Sequence, residues 1–476
     1  MSAIPDHIEA CAVAVPESRP GSHSTRTALA YGLPSAAIGF TYMLNQLYLM
    51  KYTTDVLMIA PAVMGIILAV SRIWDAVFDP IVGYLSDITR HRLGRRKLWI
   101  LAGSVPLTLS FIATFIPLPG LGSAGLVAWM SVAVIVYFTA LAAVMIPHMA
   151  LGSELSTDYH MRSKIYGSRH VFFVLGSILS LVAMFAFIKA GKDGPEALRA
   201  VQDPIIIVSA IVCIVLIGCL LLGAPEPKEN QGRVEKGFLK KFAHVWANRH
   251  ARIILMTTFI ENLGTAAISV MTVYFAQYVV GDPLVAPLFV LAFMVPSMLS
   301  VGFWVALSRR YGKSRLWLWS MMGTGLCFLG FFVTPFIDSY TWRLIVVFGA
   351  TLGAGFANGC GGTMGPSILG DVVDADEHAT GERKEGAYFA IWQTVVKGAT
   401  GVMMMLAGFA LQFSGFLPNQ EQTMQVKLTI TSLNGLLPFI CFMIGAWVLK
   451  HFKLTPEEHA RIRSDLDARR QCNPAA

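Results

Sequence analysis

The run Ser71-Arg72-Ile73-Trp74-Asp75-Ala76-Val77-Phe78-Asp79-Pro80 puts Arg72, Asp75 and Asp79 at i, i+3 and i+7, offsets that share one face of a helix. The surrounding residues are apolar, and charge inside such a stretch is costly and marks function by default. Two carboxylates on one face raise each other's proton affinity unless a cation lies between them. That is the chemistry of a group that alternately takes up and releases H⁺ or a small cation such as Na⁺. The alternative is that Arg72 neutralises one aspartate and the cluster only packs helices; a single pair would suffice for that. Lys397, in Gln393-Thr394-Val395-Val396-Lys397-Gly398, is too far from either end of its stretch to snorkel to water. It is expected to meet Asp75 or Asp79, either as a structural bridge or as the group a coupling ion competes with, biasing two states of the protein. Glu261 is open to two readings, a ligand for a hydroxyl, an amine or a proton, or a glutamate near the membrane surface. His148, in Ile146-Pro147-His148, reads first as a hydrogen-bonded packing or gate residue and second as a pH sensor.

The elements that must position these residues follow from composition. The chain has 476 residues, 55% hydrophobic and only 14% charged, with mean hydropathy +0.60, whereas soluble domains carry about 25% charged residues. A soluble enzyme and the disordered and coiled-coil classes are excluded. Apolar stretches long enough to cross a bilayer fall at about 27–50, 57–85, 98–118, 125–150, 164–190 and 204–223, then at 253–279, 285–307, 316–336, 343–369, 387–412 and 427–449. The expected fold class is an all-α polytopic membrane protein of twelve transmembrane helices in two six-helix halves. Its parts are an N-terminal tail 1–26, bundles 27–223 and 253–449, an inter-half linker 224–252 and a C-tail 450–476.

Of the 37 Lys and Arg residues, 29 lie in the tails and loops on one side, six on the other, and Arg72 and Lys397 within spans. This bias puts both termini in the cytoplasm, with the chain in the cytoplasmic (inner) membrane. The net charge of +8 is then a topology signal, and no nucleic-acid partner is expected. The seven cysteines show neither ligand spacing nor a disulfide framework. The first 26 residues are polar and read as no cleaved signal peptide. No metal-ligand cluster, nucleophile elbow or nucleotide loop appears, so neither an enzyme nor a resident cofactor is expected; Gly312-Lys313-Ser314 fails the phosphate-loop pattern because Leu307 stands where its first glycine belongs.

Arg92-Leu93-Gly94-Arg95-Arg96-Lys97 follows the second stretch, and Arg310-Tyr311-Gly312-Lys313-Ser314-Arg315 follows the eighth, 218 residues later. With Gly83-Tyr84-Leu85-Ser86-Asp87 ahead of it, the first copy resembles the loop signature of the major facilitator superfamily, whose halves enclose a substrate site near mid-membrane. Further motifs sharpen the resemblance: Tyr48 to Asp55, Arg72 to Gly83, Glu154 to Tyr159 after Ile146-Pro147, Asp371-Val-Val-Asp374 with Arg383 to Gly386, and Val395-Val396-Lys397-Gly398. Together they resemble the glycoside–pentoside–hexuronide:cation symporter family, the melibiose permease-like transporters, over residues 27 to 450.

The resemblance implies symport of a sugar or glycoside with H⁺ or Na⁺ by a monomer in the bilayer. It implies a cation site at Asp75 and Asp79, Lys397 between that site and the sugar, and Arg169 near the sugar. It also implies a cytoplasmic gate of Asp371, Asp374, Arg162 and Arg383. Sodium-using members have Asn and Thr where this chain has Phe78 and Ala142, so H⁺ is the expected coupling ion. Sugar-binding carboxylates and a tryptophan of the family would fall at Gly39, Met145 and Gly362. Trp392, Gln393, Asn45, Gln46, Asn358 and Glu261 are the candidate replacements. The apolar exchanges also suit an amphipathic solute such as a lysolipid, and a receptor without transport is a second alternative.

Overall fold

The computed structural model describes residues 25–155, 159–223, 245–381 and 385–472. Helices α1 (Pro34–Asp55), α2 (Pro61–Ile88), α3 (Arg95–Phe115), α4 (Ser123–Glu154), α5 (Tyr159–Gly191) and α6 (Pro195–Gly223) form the first half. The second half comprises α7 (Arg249–Phe275), α8 (Ala286–Tyr311), α9 (Lys313–Val333), α10 (Tyr340–Thr380), α11 (Glu385–Phe413) and α12 (Met424–Leu449). A last helix, α13 (Pro456–Cys472), follows.

Eleven of these are long and apolar enough to cross a membrane among the described residues. The twelfth crossing, α1, has 22 residues and carries Thr41, Tyr42, Asn45, Gln46 and Lys51, because it faces the polar interior rather than lipid. Its start differs from the expected 27–50. Pro34 brings no backbone N–H for a continuing helix, so the chain breaks at Leu33 and a separate helix, Thr25–Gly32, precedes it.

Consecutive helices run in opposite directions, which leaves two ends. The linker end carries the loops α2–α3, α8–α9 and α10–α11 with α13; the far end carries α1–α2, α7–α8 and α11–α12. The duplicated motif is the same turn twice, because Gly94 (φ +101°) and Gly312 (φ +82°) each lead into a helix from a positive φ open to glycine. The basic residues after these glycines anchor the turns: Arg96 donates to Ser86 at 2.7 Å and Lys97 to the Leu221 carbonyl at 2.8 Å.

The halves meet along α2 and α11, α1 and α7, and α5 and α8. At one α2–α11 crossing a Cβ on Gly408 would stand 2.4 Å from the Pro61 carbonyl oxygen, so only glycine permits the approach. Helix α6 is the most lipid-like, with Val208, Ile211 and Val215 exposed. Helix α10, at 41 residues, spans about 60 Å at 1.5 Å per residue, twice a hydrocarbon core. Its surplus length projects at the linker end, where Leu454, Ile462 and Leu466 pack with Ala375.

Candidate functional site

Helix α2 holds Arg72, Asp75 and Asp79 along the face turned to α11. From α11, the Lys397 ammonium lies 2.9 Å from Asp75 Oδ2 and hydrogen-bonds Asp79 Oδ2. Asp75 is 4% exposed, and Asp79 Oδ1 is buried without a hydrogen-bond partner among the described residues. Pro80, next along α2, leaves the helix continuous through Ile88. Two carboxylates facing one ammonium carry one uncompensated negative charge, which a low-dielectric site tolerates only by taking up a proton or a cation.

Arg72 takes no part in this triad. Its Nη2 donates to Gln46 Oε1 on α1 at 2.6 Å, and its guanidinium stacks 4.0 Å from the Phe138 ring on α4. At 3% exposure it joins α2 to α1 and α4, and its Nε has no hydrogen-bond partner among the described residues. Phe78 stacks on Trp74, whose indole donates to Thr139, and Ala142 is buried. Neither of those two side chains offers an oxygen to a cation.

Between the halves lies a cavity of about 330 Å³. Gln46 of α1, Asn262 and Thr265 of α7, and Thr400 of α11 supply polar groups, against the rings of Phe293 and Phe331. Val396, next to Lys397 along α11, lines it too, while Asp75, Asp79 and Lys397 are not among its lining residues. Asn45, expected to reach substrate, instead donates to its own helix at Thr41 O (2.9 Å) and is 4% exposed; its neighbour Gln46 is the residue that lines the cavity.

Glu261 sits against the backbone of α10. A Cβ on Gly361 would lie 2.8 Å from its Oε1 and 3.3 Å from Nε1 of the buried Trp317. Trp392 closes on Gly365 one turn further along α10, and Gln393 is exposed. Glu261, Trp317 and Trp392 thus form a carboxylate and two indoles gathered on a glycine-lined stretch of α10.

Other expected positions fall elsewhere. Arg169 lies on α5 near Tyr31 and His148, away from the central cavity, and its Nε has no hydrogen-bond partner among the described residues. His148 is a packing residue: its Nε2 meets the Tyr31 carbonyl at 2.8 Å while the Tyr31 hydroxyl donates to the His148 carbonyl at 2.9 Å. Position 39 faces α5, where a Cβ would stand 2.2 Å from the Phe173 carbonyl oxygen, so no carboxylate fits there. Position 362 opens on free space.

At the linker end Asp371 accepts from Lys313 at 2.8 and 2.7 Å, and Asp374 meets His459 at 3.2 Å and Arg463 at 3.1 Å of α13. The side chains of Arg162 and Arg383 lie outside the described residues. The far end holds a cluster to which sequence reasoning gave no role, although Tyr48 to Asp55 was among the motifs carrying the resemblance. Asp55 pairs with Lys51 and accepts from Tyr278 of the other half. Asn419 donates to the Asp55 carbonyl at 2.8 Å, and the Thr54 and Tyr274 hydroxyls meet at 2.6 Å. The signal was the i, i+4 spacing of Lys51 and Asp55 at the end of a span; their partners are more than 200 residues away.

A family model described as MFS/sugar transport protein matches residues 30–456. The glucuronide carrier protein homolog of Escherichia coli (strain K12) is 24% identical, over 94% of this chain and 96% of that protein. Sodium-dependent lysophosphatidylcholine symporter 1 of Xenopus tropicalis is 23% identical, over 96% and 93%. Among solved structures, the nucleoside transporter NupG superposes with a TM-score of 0.68 at 11% identity, covering 90% of this chain and 99% of its own, a likeness of fold. The paired bundles, the charged triad across their seam and the extent of the family match together establish that the chain belongs to the MFS/sugar transport protein family.

Proposed function

We propose that the chain is a secondary active transporter that moves a sugar, glycoside or related polar solute together with a cation, by alternating access. The observation that carries this is the triad at the seam: Asp75 and Asp79 of one half share a single ammonium, Lys397, of the other. A proton or cation arriving at the aspartates weakens their hold on Lys397, so occupancy changes the energy of the contact that joins the halves. The coupling ion is H⁺, because Phe78 and Ala142 bring no oxygen to complete a sodium cage whereas a proton needs only a carboxylate. Arg72 positions α2 for this site through Gln46, which also lines the cavity where the solute binds.

Glu261 and Trp392 supply groups that sugar recognition uses, a hydrogen-bonding carboxylate and an indole face. Both termini, the linker and the Asp371/Asp374 gate lie on the cytoplasmic side of the inner membrane, and the far end is external. The ties at Asp55, Tyr278 and Asn419 then make this an inward-facing form. Catalysis of a covalent reaction has no part in this function, and the transporter works as a monomer.

The test is accumulation in proteoliposomes under separately imposed pH and Na⁺ gradients, with a β-glycoside, a pentoside, a hexuronide and a lysolipid as probes. Uptake driven by the pH gradient is expected for one of the sugars. Asp75→Asn is expected to reduce it by about tenfold or more, the effect of removing a charge-assisted interaction of about 1.5–3 kcal/mol. Full accumulation by Asp75→Asn overturns the reading. A second reading is favoured by the phenylalanines of the central cavity, whose apolar wall suits an acyl chain; lysolipid uptake in the same panel would establish it.

A further inference from the structure

We infer that the far end carries a second binding site, separate from the central cavity, that takes a small organic carboxylate. The first observation is one of distribution. Only Lys51, Lys189, Lys192, Arg199, Arg343 and Lys427 of the 37 Lys and Arg residues belong to the far-end turns. Four of them, Lys51, Lys192, Arg343 and Lys427, line one cavity of about 610 Å³. The topology that strips basic residues from this side of the chain leaves most of the remainder around a single hollow.

The second observation is which of these charges are answered. Lys51 pairs with Asp55 and Lys192 with Asp282 at 3.2 Å. Arg343 donates only to main-chain carbonyls, those of Ile337 and Val279, and neither Arg343 nor Lys427 has a carboxylate partner among the described residues. Glu421, on the same wall, is exposed and unpaired among the described residues. A concave wall with unanswered guanidinium and ammonium groups focuses its field into the hollow and draws an anion there, and a guanidinium edge matches a carboxylate in shape.

The rest of the lining selects an organic anion over a bare ion. The Tyr48 and Tyr278 rings flank the hollow, and the side-chain amides of Gln277 and Gln420 make no hydrogen bond among the described residues. A ring face can lie on the tyrosines while hydroxyls reach the amides. Helices α1 and α5 line it from one half, α7 and α12 from the other, so an occupant bridges the seam at the end opposite Asp371 and Asp374.

The test is equilibrium binding of radiolabelled glucuronate to the full chain in phosphatidylcholine nanodiscs, with glucose and inorganic phosphate as competitors. It is run on the wild type and on Lys397→Gln, so that failure of transport at the central site is read separately. Arg343→Gln with Lys427→Gln is expected to weaken glucuronate binding by about tenfold or more in both backgrounds. Arg343→Lys with Lys427→Arg, which keeps the charges, is expected to retain binding, and it controls for misfolding together with gel filtration. Undiminished binding by the double glutamine variant overturns the inference. Loss of all binding in Lys397→Gln alone also overturns it, because the site would then be the central one. Phosphate competing as well as glucuronate would make the hollow a general anion site and overturn it. So would complete loss of wild-type binding in phosphatidylglycerol nanodiscs, which would assign the hollow to a lipid headgroup.

Discussion

At the residue scale the proposed proton coupling turns on Phe78 and Ala142, whose side chains bring no oxygen to complete a cage around a cation. A proton needs one oxygen, whereas Na⁺ requires several to replace its water. Phe78 supplies a ring stacked on Trp74, an arrangement worth about 0.5–1.5 kcal/mol. Phe78→Asn with Ala142→Thr is therefore expected to lower the melting temperature slightly while conferring Na⁺-stimulated uptake that the wild type lacks. Uptake under an imposed Na⁺ gradient measures it, and an unchanged ion preference in a folded double variant would refute the assignment. The triad was legible in the sequence, because a charge in an apolar run has few places to go and three of them on two spans invite pairing. The partner of Arg72 was not. Its spacing to Asp75 suggested an intrahelical pair, yet Asp75 is held by Lys397, and the guanidinium turns to Gln46 and Phe138, contacts set by how α1 and α4 lean on α2. Asn45 and Gln46 show the same limit, since two adjacent amides on a helix point about 100° apart and only the assembled bundle decides which meets the cavity.

Glycine carries the repeat at the scale of elements. Gly94 and Gly312 hold φ of +101° and +82° at the start of α3 and α9, where a Cβ costs about 1–2 kcal/mol. Gly94→Ala and Gly312→Ala are each expected to destabilise by about that amount, additively because they lie in different halves. Thermal unfolding in detergent, followed by circular dichroism, checks both. Identical melting of wild type and the double variant would show that the turns carry no such strain. The twelve crossings were legible because each needs a long apolar run, and even polar α1 could be placed by its length. What local sequence does not hold is the break at Leu33 and the docking of α13. The first depends on a proline at a helix start, the second on Asp374, His459 and Arg463 meeting across about 90 residues of chain.

The whole molecule alternates between two shapes only if each closed end can be released at modest cost. At the far end the closure rests on a few polar contacts. Tyr278 is central to them: it donates to Asp55, while its oxygen accepts from Lys51 at 3.3 Å and from the Asn419 backbone at 3.1 Å. Removing that one oxygen leaves the Lys51–Asp55 pair within the first half and cuts its side-chain tie to the second, so that Asn419 on the Asp55 carbonyl and the Thr54–Tyr274 contact remain. A hydrogen bond to a charged group contributes about 1.5–3 kcal/mol, so Tyr278→Phe is expected to shift the equilibrium towards far-end opening by roughly ten- to a hundredfold. Spin labels at Leu118 and Leu417, exposed on the two halves at this end, report the change as a longer distance population. The same variant is expected to slow the inward step of transport, because the far end must close before the solute can leave on the other side. A distance distribution identical to the wild type would mean that the seam of α2 and α11, rather than the tyrosine cluster, holds this end shut.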